Sequence, residues 1–314
     1  MIISASYKTD IPAFYGQWFL NRLRAGFCRT VNPYSGETAR VDLSRDAVDG
    51  FVFWTKNLGP FLTCLEEVHD HGYPFFVQYT INAYPHSLEF SVVDPQRSLE
   101  NAKRLAADYG PHTVVWRYDT IILSSLTPAD FHLQNFETLA RAMRGATNEV
   151  IISFAQIYKK TLRNMNWAAE KFRFSWEDPK PEVKLKLATQ IAEIAKSYGM
   201  QFSVCAQPEF LVAGACEARC IDASRLSRIS GTPISAREKG NRDGCRCAAS
   251  KDIGEYDTCP HGCVYCYAVR NRSLAQRRYK SHNPEGEFLF EPVGRVSPRS
   301  ASDKKRATLQ RQLF

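Results

Sequence analysis

Cys259, Cys263 and Cys266 stand in the run Cys-Pro-His-Gly-Cys-Val-Tyr-Cys near the end of the chain, a C-x3-C-x2-C spacing. Three thiolates held this close can take three corners of a cubane 4Fe-4S cluster and leave the fourth iron open. A structural zinc would want a fourth ligand, usually in a second C-x2-C pair. The spacing therefore predicts a 4Fe-4S cluster, with a structural zinc or a closed cluster as the alternative. Tyr265, between the last two cysteines, and Tyr267, just after them, are placed to pack against a cofactor.

Seven of the ten cysteines remain. Cys28 and Cys64 fall in helical patterns and read as small core residues. Cys245-Arg-Cys247 can grip one metal or two corners of one cluster. Together with Cys205, at the end of a strand pattern, and Cys220, this pair could hold a second cluster, with Cys216 competing as the fourth ligand. The other chemistry open to these thiols is to supply a hydrogen atom or a nucleophile.

Something must position such groups, and the first two thirds of the chain repeat one rhythm of apolar strand, polar cluster and amphipathic helix. Strands are predicted at Ile2–Ala5, Gly50–Trp54, Phe75–Thr80, Thr113–Arg117, Val150–Phe154 and Gln201–Cys205. Helices are predicted at Pro12–Leu23, Leu62–His71, Ser98–Tyr109, Asp130–Arg144 and Glu182–Tyr198, with Gly72, Gly110 and Gly199 where a C-terminal cap wants glycine. Six units of this kind predict an α/β fold: a six-unit parallel (βα) full or partial TIM-like barrel, followed by a C-terminal cysteine-rich iron–sulfur segment.

Parallel strands deliver their C-terminal ends to one mouth. Lys56 and Asn57 follow the second strand pattern, Gln78 lies in the third, and Arg117 and Asp119 end the fourth. Tyr158 follows the fifth and Glu209 the sixth. Any one of these alone reads as a cap or a surface ion pair. As a set they predict a lined pocket, in which Lys56, Arg117, Asn57 and Gln78 meet carboxylate or phosphate. Asp119 and Glu209 would meet hydroxyl or amino groups, and Tyr158 would stack or relay.

Composition fits this reading. Hydrophobic residues at 44% against 24% charged describe an ordinary globule, and no apolar run approaches the roughly 18 residues of a membrane span. Ten cysteines without a secretion signal point to a reducing, cytoplasmic compartment. The net charge of +8 is uneven: from Tyr267 onward eleven Lys and Arg face four acids. That tail is expected either to be solvated or to touch nucleic acid. The expected organisation is a barrel-like domain over 1–213, a cysteine-rich segment over 214–290 packed on its mouth, and a basic tail over 291–314.

The runs Ser4-Ala-Ser-Tyr-Lys-Thr-Asp10-Ile-Pro, Phe53-Trp-Thr-Lys-Asn57, Arg117-Tyr-Asp119 and Asp252-Ile-Gly-Glu-Tyr-Asp257 through Tyr267 resemble a bacterial family catalogued as domain of unknown function 1848. The resemblance covers about residues 1–290. The cysteine loop itself is similar to that of radical S-adenosylmethionine enzymes, which carry it after the first strand, whereas here it follows the sixth. That likeness implies an open iron that binds and cleaves S-adenosylmethionine. A small-molecule or nucleotide substrate would lie in the mouth, and an electron donor such as flavodoxin or ferredoxin would serve the cluster. The alternative is a nucleic-acid repair or modification protein with a structural cluster and a phosphate-binding tail. A metal-dependent hydrolase or lyase is a third reading, for which only His261 lies among the cysteines.

Overall fold

The computed structural model describes residues 1–292. The basic residues Arg295, Arg299, Lys304, Lys305, Arg306 and Arg311, on which the tail expectation chiefly rests, lie outside them.

Short apolar runs buried on both faces favour parallel strands, each joined to the next by a covering helix. The strands are β1 (Ile2–Ala5), β2 (Phe27–Val31), β3 (Thr38–Asp42), β4 (Gly50–Thr55), β5 (Phe75–Thr80), β6 (Val114–Ile121), β7 (Leu123–Ser124), β8 (Glu149–Phe154), β9 (Trp176–Glu177), β10 (Gln201–Val204), β11 (Cys216–Glu217) and β12 (Ser250–Asp252). The helices are α1 (Ile11–Phe14), α2 (Gly16–Ala25), α3 (Leu62–Asp70), α4 (Pro95–Tyr109), α5 (Ala129–Met143), α6 (Lys159–Phe172), α7 (Pro181–Ser197), α8 (Ala223–Ser230) and α9 (Arg272–Lys280). Eight strands form one sheet in the order β11-β10-β8-β6-β5-β4-β1-β12. Every pairing in it is parallel. The protein thus has a mixed α/β fold built on a multistranded parallel sheet.

Alternation along each strand divides the core. Ile3, Phe51, Phe53, Val77, Trp116 and Ile152 face the helices. Trp116 stacks on Phe136 of α5 at 4.7 Å, and Phe19 of α2 meets Phe51, Phe53 and Phe61 edge-on. Each such buried side chain contributes roughly 1.5–3 kcal/mol relative to exposure. The opposite face, Ile2, Val52, Phe76, Val115 and Ile151, packs against Ile221, Leu226 and Ala248. Residues beyond 214 therefore cover the second face and also supply both outer strands, β11 and β12.

Local sequence sets the helix starts. Asp94 accepts a hydrogen bond from Gln96 N ahead of Pro95, and Asp10 accepts one from Ala13 N ahead of Pro12. Two expectations need correction. The Pro12–Leu23 pattern is two helices, interrupted at Tyr15. Cys28 lies in β2, whose antiparallel pairing with β3 has no helical counterpart. Among the described residues no helix is long and apolar enough to cross a membrane.

Candidate functional site

Strand register assembles a charged layer at the C-terminal ends. Arg117 and Asp119 are two apart on β6 and so share a face, and Asp119 pairs in register with Ser153 of β8. Arg117 Nη2 meets Asp119 Oδ2 at 2.6 Å, and both side chains are largely buried. Arg117 Nη1 donates to Gln78 Oε1 at 3.2 Å and to Cys220 Sγ at 3.0 Å, while Trp54 lies 5.1 Å from the guanidinium. Burial alone would raise the Asp119 carboxyl. The Arg117 charge and the Ser153 hydroxyl outweigh it, holding Asp119 below the usual carboxylate range.

A second ion pair lies beside the first. Lys56, just past β4, meets Glu89 Oε1 at 2.8 Å, with Glu89 buried. Burial by itself would lower the Lys56 ammonium; Glu89, with Cys263 and Asp119 beyond it, raises it instead. The same Glu89 oxygen accepts the Tyr265 hydroxyl and, at 3.2 Å, Asn82 Nδ2. Asn82 joins the two pairs, because its amide also exchanges hydrogen bonds with the Asp119 backbone.

Glu89 lies outside every strand and helix. Its loop forms an antiparallel bridge from Glu89 to Cys263, and Val264 N donates to Leu88 O at 3.0 Å. The cysteine loop is fixed again through His261. The ring's Nε2 is 2.8 Å from Asp10 Oδ2, which also accepts Lys56 N at 2.8 Å. Gly262 has φ +76°, and a Cβ there would fall 2.7 Å from Arg272 Cδ, so glycine suits this bend. The loop thus sits over the same strand ends as Lys56, Arg117 and Asp119.

Aromatic and cationic side chains form the rim. Tyr7 packs edge-on to Trp54 at 6.3 Å, and the half-exposed Tyr267 donates to Tyr7 O at 2.6 Å. Lys8 and Lys160 lie 5.7 and 5.6 Å from the Tyr256 ring. Tyr158 is half-exposed, and its hydroxyl contacts Gln156 Oε1, which also accepts Arg242 Nη1 at 2.8 Å.

Other expected site residues have different work. Gln78 is buried and holds Arg117 in place while donating to Cys220 O at 2.8 Å. Asn57 accepts Gly59 N and shapes the turn after β4. Glu209 is exposed in a single 3-10 turn and makes no ion pair or side-chain hydrogen bond with the charged layer.

The metal expectations are overturned. Among the described residues no group of three or more His, Cys, Asp or Glu side chains is placed to hold a metal ion. Close spacing puts Cys259, Cys263 and Cys266 in one loop but does not by itself turn their sulfur atoms to a common point. Burial pushes all three thiols up. Cys205 and Cys220 are 3.4 Å apart, and Cys247 and Cys245 follow beside Cys220. That arrangement is a chain of thiols. In it the Cys247 hydrogen bond lowers Cys245 to about 6, and Cys247 itself is raised to about 12. Cys216 is exposed on β11, outside the chain. The 4Fe-4S cluster, the second cluster, the S-adenosylmethionine site and the radical enzyme read from them are corrected accordingly, as is the structural cluster of the nucleic-acid alternative.

Glu89, Ser153 and Asp252 are the residues that motif reading missed, while Asn82 and Asp10 were read only as polar groups at the ends of β5 and β1. Asp252 accepts Ser4 Oγ and Ser6 Oγ, both at 2.8 Å, so it ties β12 to β1. Asp252 carried a signal only by lying, like Asp10, within a run shared with a family.

These features define a class: a parallel-sheet α/β protein with a buried charged layer at the strand ends, capped by a loop from late in the chain. The chain belongs to the family described as Domain of unknown function (DUF1848), whose model matches residues 2–268. No curated protein and no solved structure matches it.

Proposed function

We propose that the protein binds a small anionic molecule with a planar ring, a nucleotide by chemical class, at the C-terminal mouth of its sheet. The observation that carries this reading is the pair of buried salt bridges, Lys56–Glu89 and Arg117–Asp119, joined by Asn82 beneath the rim. Buried ion pairs are weak contributors to net stability, so their presence at strand ends is better accounted for by a ligand. Lys56 and Arg117 supply positive charge, and Asp119 accepts from hydroxyls. Tyr256 and Tyr7 offer ring faces flanked by Lys8, Lys160 also lies beside Tyr256, and Tyr267 and Tyr158 are half-exposed on the rim.

The same reading takes the sheet as a partial (βα) barrel over 1–213, with 214–290 packed across its mouth. Its support is the inner row Ile2, Val52, Phe76, Val115 and Ile151 against Ile221 and Leu226. A reducing, cytoplasmic setting is supported by ten free cysteines.

Titration calorimetry of the full chain with adenosine 5′-monophosphate, adenosine and inorganic phosphate tests the proposal. The nucleotide is expected to bind more tightly than either fragment, with Lys160→Ala weakening it about three- to fivefold. If none of the three binds saturably, or if the variant binds the nucleotide unchanged, the reading fails.

A further inference from the structure

At the other end of the sheet, where β8 and β10 begin, a cavity of about 470 Å³ opens between the strand starts and α8. Four arginines line it: Arg219, Arg225, Arg228 and Arg246. Its acids are Glu149, Glu217 and Asp222. None of these groups touches the charged layer at the mouth.

The acids are already committed. Glu149 accepts Arg225 Nη2 at 2.5 Å and Ser203 Oγ at 2.6 Å. Arg225 is buried and spends its other donors on His112 O and Asn148 Oδ1, both at 2.9 Å, so it is part of the wall. Glu217 is paired with Arg246 at 3.4 Å. Asp222 caps α8 through Ser224 N at 2.9 Å, leaving Arg228 only a loose contact at 3.8 Å. Arg219 is exposed and makes no ion pair or side-chain hydrogen bond among the described residues. Two guanidinium groups, those of Arg219 and Arg228, therefore border the cavity with their donors largely unspent.

We infer that this cavity is a second binding site, for the phosphate group of a small phosphate monoester. A planar guanidinium donates two parallel hydrogen bonds to a phosphate, and two of them match a dianion better than a single carboxylate. The volume falls in the range of small-molecule sites, which suits a compact ligand. The anchored Arg225–Glu149 pair supplies a rigid floor, so the ligand need order only the two exposed side chains.

The inference does not rest on the mouth, and its test separates the two. Binding of inorganic phosphate and of glycerol phosphate to the full chain is followed by titration calorimetry. The wild-type protein is compared with Arg219→Gln, Arg228→Gln, the double variant, and a charge-matched control, Lys186→Gln with Lys196→Gln on α7. Glycerol phosphate is expected to bind saturably, each single variant to weaken it about tenfold, and the double variant to abolish it, with the α7 control unchanged. Tighter binding of the ester than of inorganic phosphate would identify an organic ligand; equal binding would leave free phosphate as the occupant. No saturable binding, or an equal loss in the α7 control, overturns the site, since the second result would mean only general attraction by net charge. Far-UV circular dichroism of each variant keeps loss of binding distinct from loss of fold.

Discussion

Asn82 and Asp119 exchange hydrogen bonds in both directions: Asp119 N donates to Asn82 Oδ1 at 3.0 Å, and Asn82 Nδ2 donates to Asp119 O at 3.1 Å. One buried amide thereby fixes the end of β6 against the loop that follows β5. Replacing it with leucine of similar bulk leaves the Asp119 backbone unpaired in a buried setting. Asn82→Leu is expected to cost about 2–3 kcal/mol in urea unfolding, as two unsatisfied groups would. A loss below about 0.5 kcal/mol would mean that Asn82 is not the joint between the ion pairs.

The Lys56–Glu89 pair gives a second expectation. Removing one partner leaves the other buried and uncompensated, a loss of about 3 kcal/mol or more. Lys56→Met and Glu89→Leu should each show it, and the double variant should be less destabilised than the two losses added. Additive losses in a double-mutant cycle would place the two groups out of contact.

His132 gives a pH dependence. Its ring is buried between the Tyr118 hydroxyl and Ile122 O, each at 2.9 Å, and burial lowers its pKa to about 4. The unfolded chain, titrating near 6.5, then binds the proton more readily than the folded one. The contribution is complete above about pH 6.5 and is lost as pH falls toward 4, with a slope approaching about 1.4 kcal/mol per pH unit. Urea titrations at intervals between pH 7 and 4 should show a shallower slope in His132→Gln. An unchanged slope would assign the acid sensitivity elsewhere.

Gly262 is the bend that seats the cysteine loop. Gly262→Ala places a methyl group against Arg272 and forces an alanine to positive φ, and is expected to cost about 1–2 kcal/mol. The loss should appear as faster proteolysis within residues 259–268 at unchanged far-UV dichroism. Protection equal to the wild type would show that the bend tolerates a side chain.

Metal content decides the corrected cysteine reading. Thiols arranged as described leave the protein, purified without oxygen, free of stoichiometric iron, zinc and acid-labile sulfide. About four irons with matching sulfide would reverse the correction.

Much of the frame was legible because apolar runs bounded by polar clusters have few other solutions. β1 and β5 lie where the pattern put them, and α3, α5 and α7 differ only at their ends. The β2–β3 pair was missed although Gly26, at φ +74°, ends α2 just before Phe27-Cys-Arg-Thr-Val, because the mixed polar and apolar order of that run gives no clean alternation. α6 was hidden by its composition, for seven of its fourteen residues are Lys, Arg, Asn or Glu, spread among the apolar positions.

For the site, Lys56, Arg117 and Asp119 were readable because register alone delivers them to one end. Glu89 was not, since no periodicity marks a loop residue as buried, and Asn82 was legible only as the end of the polar run after β5. The thiol spacing misled for a related reason: separation along the chain limits how near three sulfur atoms can come, while their directions depend on packing with residues far away. His261 and Asp10, 251 positions apart, supply one such constraint.

β12 lies beside β1, with Ile2 opposite Ser250 and Ser4 opposite Asp252. β1 therefore waits for a strand 248 positions further on before its outer edge is paired. Until then the nascent chain carries an open strand edge that other chains can join. The loop that caps the mouth follows β12 directly, so the mouth too is completed only after β12 has been made. A chain stalled before residue 250 would keep that edge exposed.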